Sequence, residues 1–285
     1  MNGVDQNQNR IGVLGATSFV GDFLLDDLVD AKKSVVAFSR QPVESASSAV
    51  EWVQIPDNLS PVPLIQEIPF WVSLMPIWLL PQYYSLLQRS GIKRLVALSS
   101  TSRFTKIDSA YAKERALAQR LTDAEELILA WGQKNGIQIV LLQPTMIYAN
   151  GRDKNVSSIA HFIQKFGFFP LFGSGCGLRQ PVHGQDVAFA CCAALEKSRL
   201  KNSYILSGGE TLSYREMVQR IFLSLNKPVR LLSFPLWTFK AGVLAVNLLG
   251  KKMTAGVAER MNQDLVFDHI DAARDLGFAP RKFEL

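Results

Sequence analysis

The stretch Gly12-Val-Leu-Gly15-Ala-Thr-Ser18-Phe-Val-Gly21 decides how this chain folds. Residues 11–14 are a short apolar run that reads as a strand, and residues 20–29 read as a helix, so the glycines fall at a strand-to-helix turn. Gly15 permits the tight turn and a close approach of backbone N–H groups to phosphate. Gly21 lets the helix pack against a sheet. Ser18 stands where a middle glycine is expected, and its hydroxyl is itself a phosphate donor. The unit is expected to cradle a dinucleotide pyrophosphate, with Gly12, Gly15, Thr17, Ser18, Phe19, Val20 and Gly21 around it.

The next strand, residues 34–38, runs into Ser39-Arg40. A carboxylate at this place binds the ribose 2′-hydroxyl of NAD, whereas a guanidinium pairs with the 2′-phosphate of NADP and stacks on adenine. Ser39 and Arg40 therefore favour NADP, with NAD the alternative.

Working outward, apolar runs at 51–55, 69–74, 93–98 and 137–142 alternate with helical patterns at 79–90 and 109–134. Buried parallel strands read as continuous apolar runs, so the alternation predicts an α/β fold with a doubly wound parallel sheet. After Pro144 the rhythm changes. Helices are expected at 155–166, 186–197 and 214–225, a strand at 202–207, and a Gly/Pro/aromatic loop up to Val182, and the chain closes with the segment 270–276. This divides the chain into a dinucleotide-binding domain, 1–150, and a C-terminal substrate lobe, 151–285, packed on the sheet rather than tethered to it.

Composition narrows the function class. The 285 residues are 48% hydrophobic and 20% charged, which suits a soluble globular protein ordered beyond its polar opening, residues 2–9. The net charge of +6 suits anionic small molecules, and no Lys/Arg block suggests a nucleic-acid groove. Cys176, Cys191 and Cys192 make no disulfide framework; the adjacent pair reads as buried thiols. No signal-peptide pattern precedes the first strand, which points to the cytoplasm. The apolar run 234–249 is too short to span a bilayer and contains Lys240. Core or homodimer packing is one reading of it, and peripheral contact with a membrane surface is the other.

These motifs together resemble the extended and atypical short-chain dehydrogenases/reductases. Gly15-Ala-Thr-Ser18-Phe-Val-Gly21 is similar to their glycine turn, and Leu98-Ser-Ser-Thr101 to the end of their fifth strand. Leu142-Gln-Pro144-Thr-Met-Ile-Tyr148 is similar to their Leu-Arg-Pro-x-x-x-Tyr segment, with Gln143 replacing arginine. Arg179-Gln-Pro-Val-His183-Gly-Gln-Asp186-Val-Ala resembles a segment of nucleotide-sugar epimerases and dehydratases. The tail beyond Phe234 looks more like the branch related to a respiratory complex I accessory subunit.

The resemblance implies an NAD(P)-dependent oxidoreductase, or an epimerase/dehydratase, acting on a nucleotide-sugar-like or other anionic substrate. It adds Pro144 to the cofactor set. By position it makes Thr101 the hydroxyl residue and Tyr111 the proton-transferring tyrosine. Arg115, four residues on, stands where the family has lysine, and only ten residues separate Thr101 from Tyr111. A non-catalytic dinucleotide-binding protein with a structural or regulatory role is the alternative. Arg152 and Arg179 are the candidate ligands for a phosphorylated substrate; ion pairs Arg152–Asp153 and Arg179–Asp186 would be their structural reading. His183 reads as a hydrogen-bonded structural residue and Asp186 as a helix N-cap. No ligand spacing suggests a metal.

Overall fold

The computed structural model describes residues 9–43, 49–55, 67–149, 151–239 and 256–285. Most of the polar opening, and the apolar run from residue 240 onward, lie outside these. Strand β1 (Arg10–Leu14) leads through helix α1 (Phe19–Asp30) to β2 (Ser34–Ser39) and β3 (Val50–Gln54). After β4 (Phe70–Ser73), a 3-10 helix at Ile77–Tyr83 runs into α2 (Tyr84–Arg89) and on to β5 (Arg94–Leu98). The short α3 (Ser102–Thr105), the long α4 (Ala112–Asn135) and β6 (Gln138–Pro144) complete the first half.

Two expectations shift here. The helix expected over 79–90 is broken, because Pro81 lies inside the 3-10 segment and has no N–H to give to an α-helical ladder. The long helix starts three residues later than expected. Ser109 Oγ receives the amide of Tyr111 at 3.2 Å, a local turn that competes with helix.

The second half contains β7 (Ile147–Tyr148), α5 (Val156–Phe166), β8 (Phe169–Phe172), β9 (Leu178–Arg179), β10 (Val182–His183) and α6 (Gly184–Glu196). It continues through β11 (Ser203–Leu206), β12 (Leu212–Ser213), α7 (Tyr214–Ser224) and β13 (Leu231–Phe234) to α8 (Gly256–Arg260) and α9 (Ile270–Leu276). Asp186 is not the N-cap of α6. That place belongs to His183, whose Nδ1 accepts the Gln185 amide at 3.1 Å, while Asp186 in the first turn binds Arg281.

Seven parallel strands form the sheet in the order β11-β6-β5-β4-β1-β2-β3, the doubly wound α/β architecture expected. Its seventh strand comes from the second half of the chain. One face packs α1 and α6 around Val13, Leu24, Val140 and Ala190; the other packs α2, α4 and the 3-10 helix around Trp71, Leu87, Leu95 and Ile128. A third cluster joins α5, α7 and β8 into the lobe. Strand order reverses between β1 and β4, and ligands bind such sheets at the carboxyl end of that switch point.

Candidate functional site

Gly15 sits at the switch point with φ of +75°, and a Cβ there would lie 2.9 Å from the Met75 backbone nitrogen. Only glycine makes this turn without strain. A Cβ on Gly21 would enter the Ala16 carbonyl, so this glycine sets how closely α1 approaches β1. Ser18 is the N-cap of α1; its Oγ accepts the Gly21 amide at 3.1 Å, which leaves its own proton to give. The amides of Phe19 and Val20 are the first helical N–H groups, at the positive end of the helix dipole. Val20 is buried in the core and Phe19 packs beside Gly184, so what these two offer a ligand is backbone.

Gly12 is placed differently from expectation. It lies inside β1, where a Cβ would come 2.5 Å from Trp71 Cε3, and it does not line the ligand cleft. Its missing side chain makes room for the indole.

Beside the turn opens a cleft of about 270 Å³, lined by Gly15, Thr17, Ser39 and Arg40 together with Phe38, Met75, Pro76, Leu79 and Tyr83. Four expected residues from separate positions thus meet around one space. Ser39 Oγ accepts the Gln41 amide at 3.2 Å, and the Arg40 carbonyl accepts Gln54 Nε2 at 3.2 Å. These bonds fix the backbone at the end of β2 and hold the exposed Arg40 at the rim. The apolar wall from the 3-10 helix was missed. In the sequence, Met75-Pro76 and Leu79 look like any other core run; only the paired prolines Pro76 and Pro81 hint at a special backbone there.

Thr101 follows β5 and is buried; its amide and its Oγ1 both donate to the Pro144 carbonyl, at 3.1 and 3.2 Å. This pair pins the tips of β5 and β6 together. Tyr111 precedes α4 with its ring against Gly256 of α8, where a Cβ would lie 3.0 Å from Tyr111 Cδ2. Arg115 is exposed and donates from Nη1 to the Ser109 carbonyl at 2.7 Å.

The residue of α4 that reaches the strand tips is Glu125, 1% exposed. It accepts the Ser99 hydroxyl and both of its oxygens receive Gln143 Nε2, at 2.9 and 3.1 Å, with Arg103 as its ion-pair partner. Leu121 and Leu117, one and two turns earlier, share its helix face and pack in the cluster of Leu14, Ile77 and Tyr83. Tyr111 stands about four turns, roughly 21 Å along the axis, before Glu125.

Arg152 pairs with Asp22 in the first turn of α1, not with Asp153. Asp153 is instead buried and accepts the Ser157 hydroxyl at 2.6 Å. Arg152 thus stands beside the glycine turn. Arg179 is buried and donates to the carbonyls of Leu178 (2.7 Å), Gln263 (2.6 Å) and Arg260, while its guanidinium lies over the Tyr214 ring. Burial pushes its pKa down to about 10. Its donors brace the 260–263 segment, and the Asp186 partner expected for it is held by Arg281 at 2.8 Å.

His183 packs edge-on against Tyr148, with ring centroids 5.1 Å apart, and burial followed by the nearby Arg281 lowers its pKa. Both facts suit the structural role expected of it. A larger cavity, about 790 Å³, runs along α6 beside the end of α1, among Leu28, Phe189, Cys192 and Phe278. None of the expected site residues lines it, and the glycine turn is the better candidate site because the backbone donors converge there.

Residues 84–206 match the model of the NAD dependent epimerase/dehydratase family. UDP-glucose 4-epimerase of Vibrio cholerae is 24% identical over 201 residues, 67% of this chain and 60% of that protein. A mitochondrial NADH dehydrogenase [ubiquinone] 1 alpha subcomplex subunit 9 of Arabidopsis thaliana is 28% identical over 158 residues, 54% of this chain and 36% of that protein. The chain thus spans less than two thirds of either relative. Among solved structures, an epimerase from Methanothermobacter thermautotrophicus superposes with a TM-score of 0.72 at 14% identity, covering 97% of this chain and 90% of that one. A UDP-glucuronic acid 4-epimerase from Bacillus cereus in complex with NAD gives 0.71 at 15%, covering 95% and 93%. The UDP-glucose 4-epimerase of Thermotoga maritima with UDP-glucose gives 0.68 at 12%, again covering 95% and 93%. At these identities the structures speak to the fold.

Proposed function

We propose that this chain, whose residues 84–206 match the NAD dependent epimerase/dehydratase model, binds a nicotinamide dinucleotide at the β1–α1 turn, NADP in preference to NAD. The observation that carries this reading is the cleft shared by Gly15, Thr17, Ser39 and Arg40. The pyrophosphate would lie on the first amides of α1, and the adenosine between β2 and the 3-10 helix, with Arg40 toward a 2′-phosphate. A titration of the purified protein with NADPH and NADH by calorimetry tests it. Tighter binding of NADPH is expected, and binding of neither dinucleotide overturns the reading.

When bound, the dinucleotide supplies hydride chemistry. The chain's own residues supply little of the accompanying proton transfer on this reading, because the Tyr111 ring lies against Gly256 and Arg115 is engaged with the Ser109 carbonyl. The function this favours is a dinucleotide-binding protein in which the ligand is structural or regulatory. On that reading Tyr111→Phe leaves both dinucleotide affinity and any measured turnover unchanged.

A second reading, turnover of a nucleotide-sugar-like or other phosphorylated substrate, is favoured by the family match and by Arg152 standing beside the glycine turn. It expects epimerase, dehydratase or reductase activity toward UDP-sugars that Tyr111→Phe abolishes while dinucleotide binding persists.

A further inference from the structure

The lobe exposes apolar side chains along two stretches of sequence that hold no acids, and neither dinucleotide binding nor substrate turnover uses them. Between Lys154 and Gln185, and again between Met217 and Ala258, the sequence holds no Asp or Glu. The second stretch carries Arg220, Lys227, Arg230, Lys240, Lys251 and Lys252. Large apolar side chains stand exposed along these same stretches: Trp237 at 69%, Phe166 at 51%, Leu232 at 46% and Phe234 at 40%.

They are neighbours in space. Among the described residues strand β13 pairs with β8 alone, and it brings Leu232 and Phe234 to the surface. Lys227 Nζ donates to the Gln164 carbonyl at 3.0 Å, which seats the start of this strand against the end of α5, where Phe166 and Lys165 lie. Lys165 Nζ sits 5.3 Å from the Phe166 ring centroid. Trp237 follows three residues after Phe234. Aromatic rings flanked by lysine and arginine, with carboxylates absent from both contributing stretches, match the chemistry of an anionic lipid headgroup layer. Exposed aromatic rings grouped with cations, rather than scattered singly, mark a contact surface.

We propose that this face of the lobe, centred on β13, docks peripherally on an anionic lipid bilayer. Trp237 and Phe234 enter the headgroup–acyl boundary, and Lys165 and Arg230 lie over the lipid phosphates. No helix among the described residues is long and apolar enough to cross a membrane. This inference stands apart from dinucleotide binding, which uses the opposite half of the chain.

Co-sedimentation of the full chain with phosphatidylcholine vesicles, with and without phosphatidylglycerol, tests it. The expected result is binding to the phosphatidylglycerol vesicles that weakens as salt is raised, with a partition coefficient lowered about tenfold or more by Arg230→Glu combined with Lys165→Glu. Trp237→Ser should lower it in the same assay. All three positions are solvent-exposed, and unchanged melting temperature and NADPH binding would confirm folded variants. Equal sedimentation of wild type and variants would overturn the proposal. So would failure of the wild type to bind anionic vesicles, or lipid-free self-association that Trp237→Ser abolishes, since that result assigns the face to a second copy of the chain.

Discussion

Glu125 on α4 and Gln143 on β6 are joined by two hydrogen bonds, 2.9 and 3.1 Å long, in a place almost closed to water. The carboxylate also takes the Ser99 hydroxyl and pairs with Arg103, so one buried acid ties the tips of two strands to a helix. Truncating it leaves three donors without an acceptor, and unsatisfied buried groups are costly. Glu125→Ala is expected to destabilise the fold by about 2–3 kcal/mol, and Gln143→Leu by about 1–2 kcal/mol. Urea denaturation followed by circular dichroism measures both. Values near zero would show that the network is not a fastening.

Arg40 carries the choice between dinucleotides. Arg40→Ala is expected to weaken NADPH binding by about tenfold, the worth of one charge-assisted contact at an exposed rim, and to leave NADH almost unchanged. Calorimetric titration with each separates the two effects. Equal losses for both dinucleotides would place Arg40 on the adenine rather than on the 2′-phosphate.

Gly12 and Gly21 differ from Gly15 in what a side chain would do. At Gly12 a valine runs into the buried Trp71 ring, and at Gly21 an alanine meets the Ala16 carbonyl. Each substitution is expected to cost about 1–3 kcal/mol as overpacking. Gly15→Ala combines a tight contact with a positive φ and should reduce dinucleotide affinity as well as stability. Thermal melts with and without NADPH distinguish these outcomes.

His183 gives a pH signature. Its Nδ1 accepts the Gln185 amide, which requires a neutral ring, and burial together with Arg281 opposes protonation, while Asp186 partly favours it. The folded pKa therefore lies below the ordinary 6.5. Such a group contributes fully above about pH 6.5, and its contribution is lost as pH falls below that, because the unfolded chain takes up the proton first. His183→Asn keeps an N-cap acceptor without titrating in this range. Melting temperature is expected to fall more steeply from about pH 6.5 to 5 in the wild type than in the variant. Parallel slopes would remove His183 as the source.

What could be read from the sequence follows from how locally each feature is encoded. The glycine turn, the parallel strands and the meeting of Ser39 with Arg40 at the end of β2 depend on short-range pattern, and the structure places them as expected. Gly12 shows the limit of pattern, since its reason for being glycine is Trp71, two strands' worth of chain away but adjacent in space. Partners were legible least of all. Arg152, Arg179 and Asp186 were each credible beside a near neighbour, yet they bind Asp22, the 260–263 segment and Arg281. Long side chains choose partners through the tertiary fold, which spacing does not reveal. The sequence pattern puts Tyr111 and Arg115 together inside a helix 109–134, whereas Tyr111 precedes α4; where that helix begins relative to the strand tips is not readable from spacing.

The seventh strand has a consequence for how the chain is made. Until residue 206 has left the ribosome, β6 is an open edge with no neighbour on that side, and all the loops and helices between Thr145 and Asn202 must be synthesised first. The glycine turn thus waits for nearly two hundred further residues before the sheet that holds it is complete. A nascent chain stalled before that point would show its strand edge to chaperones.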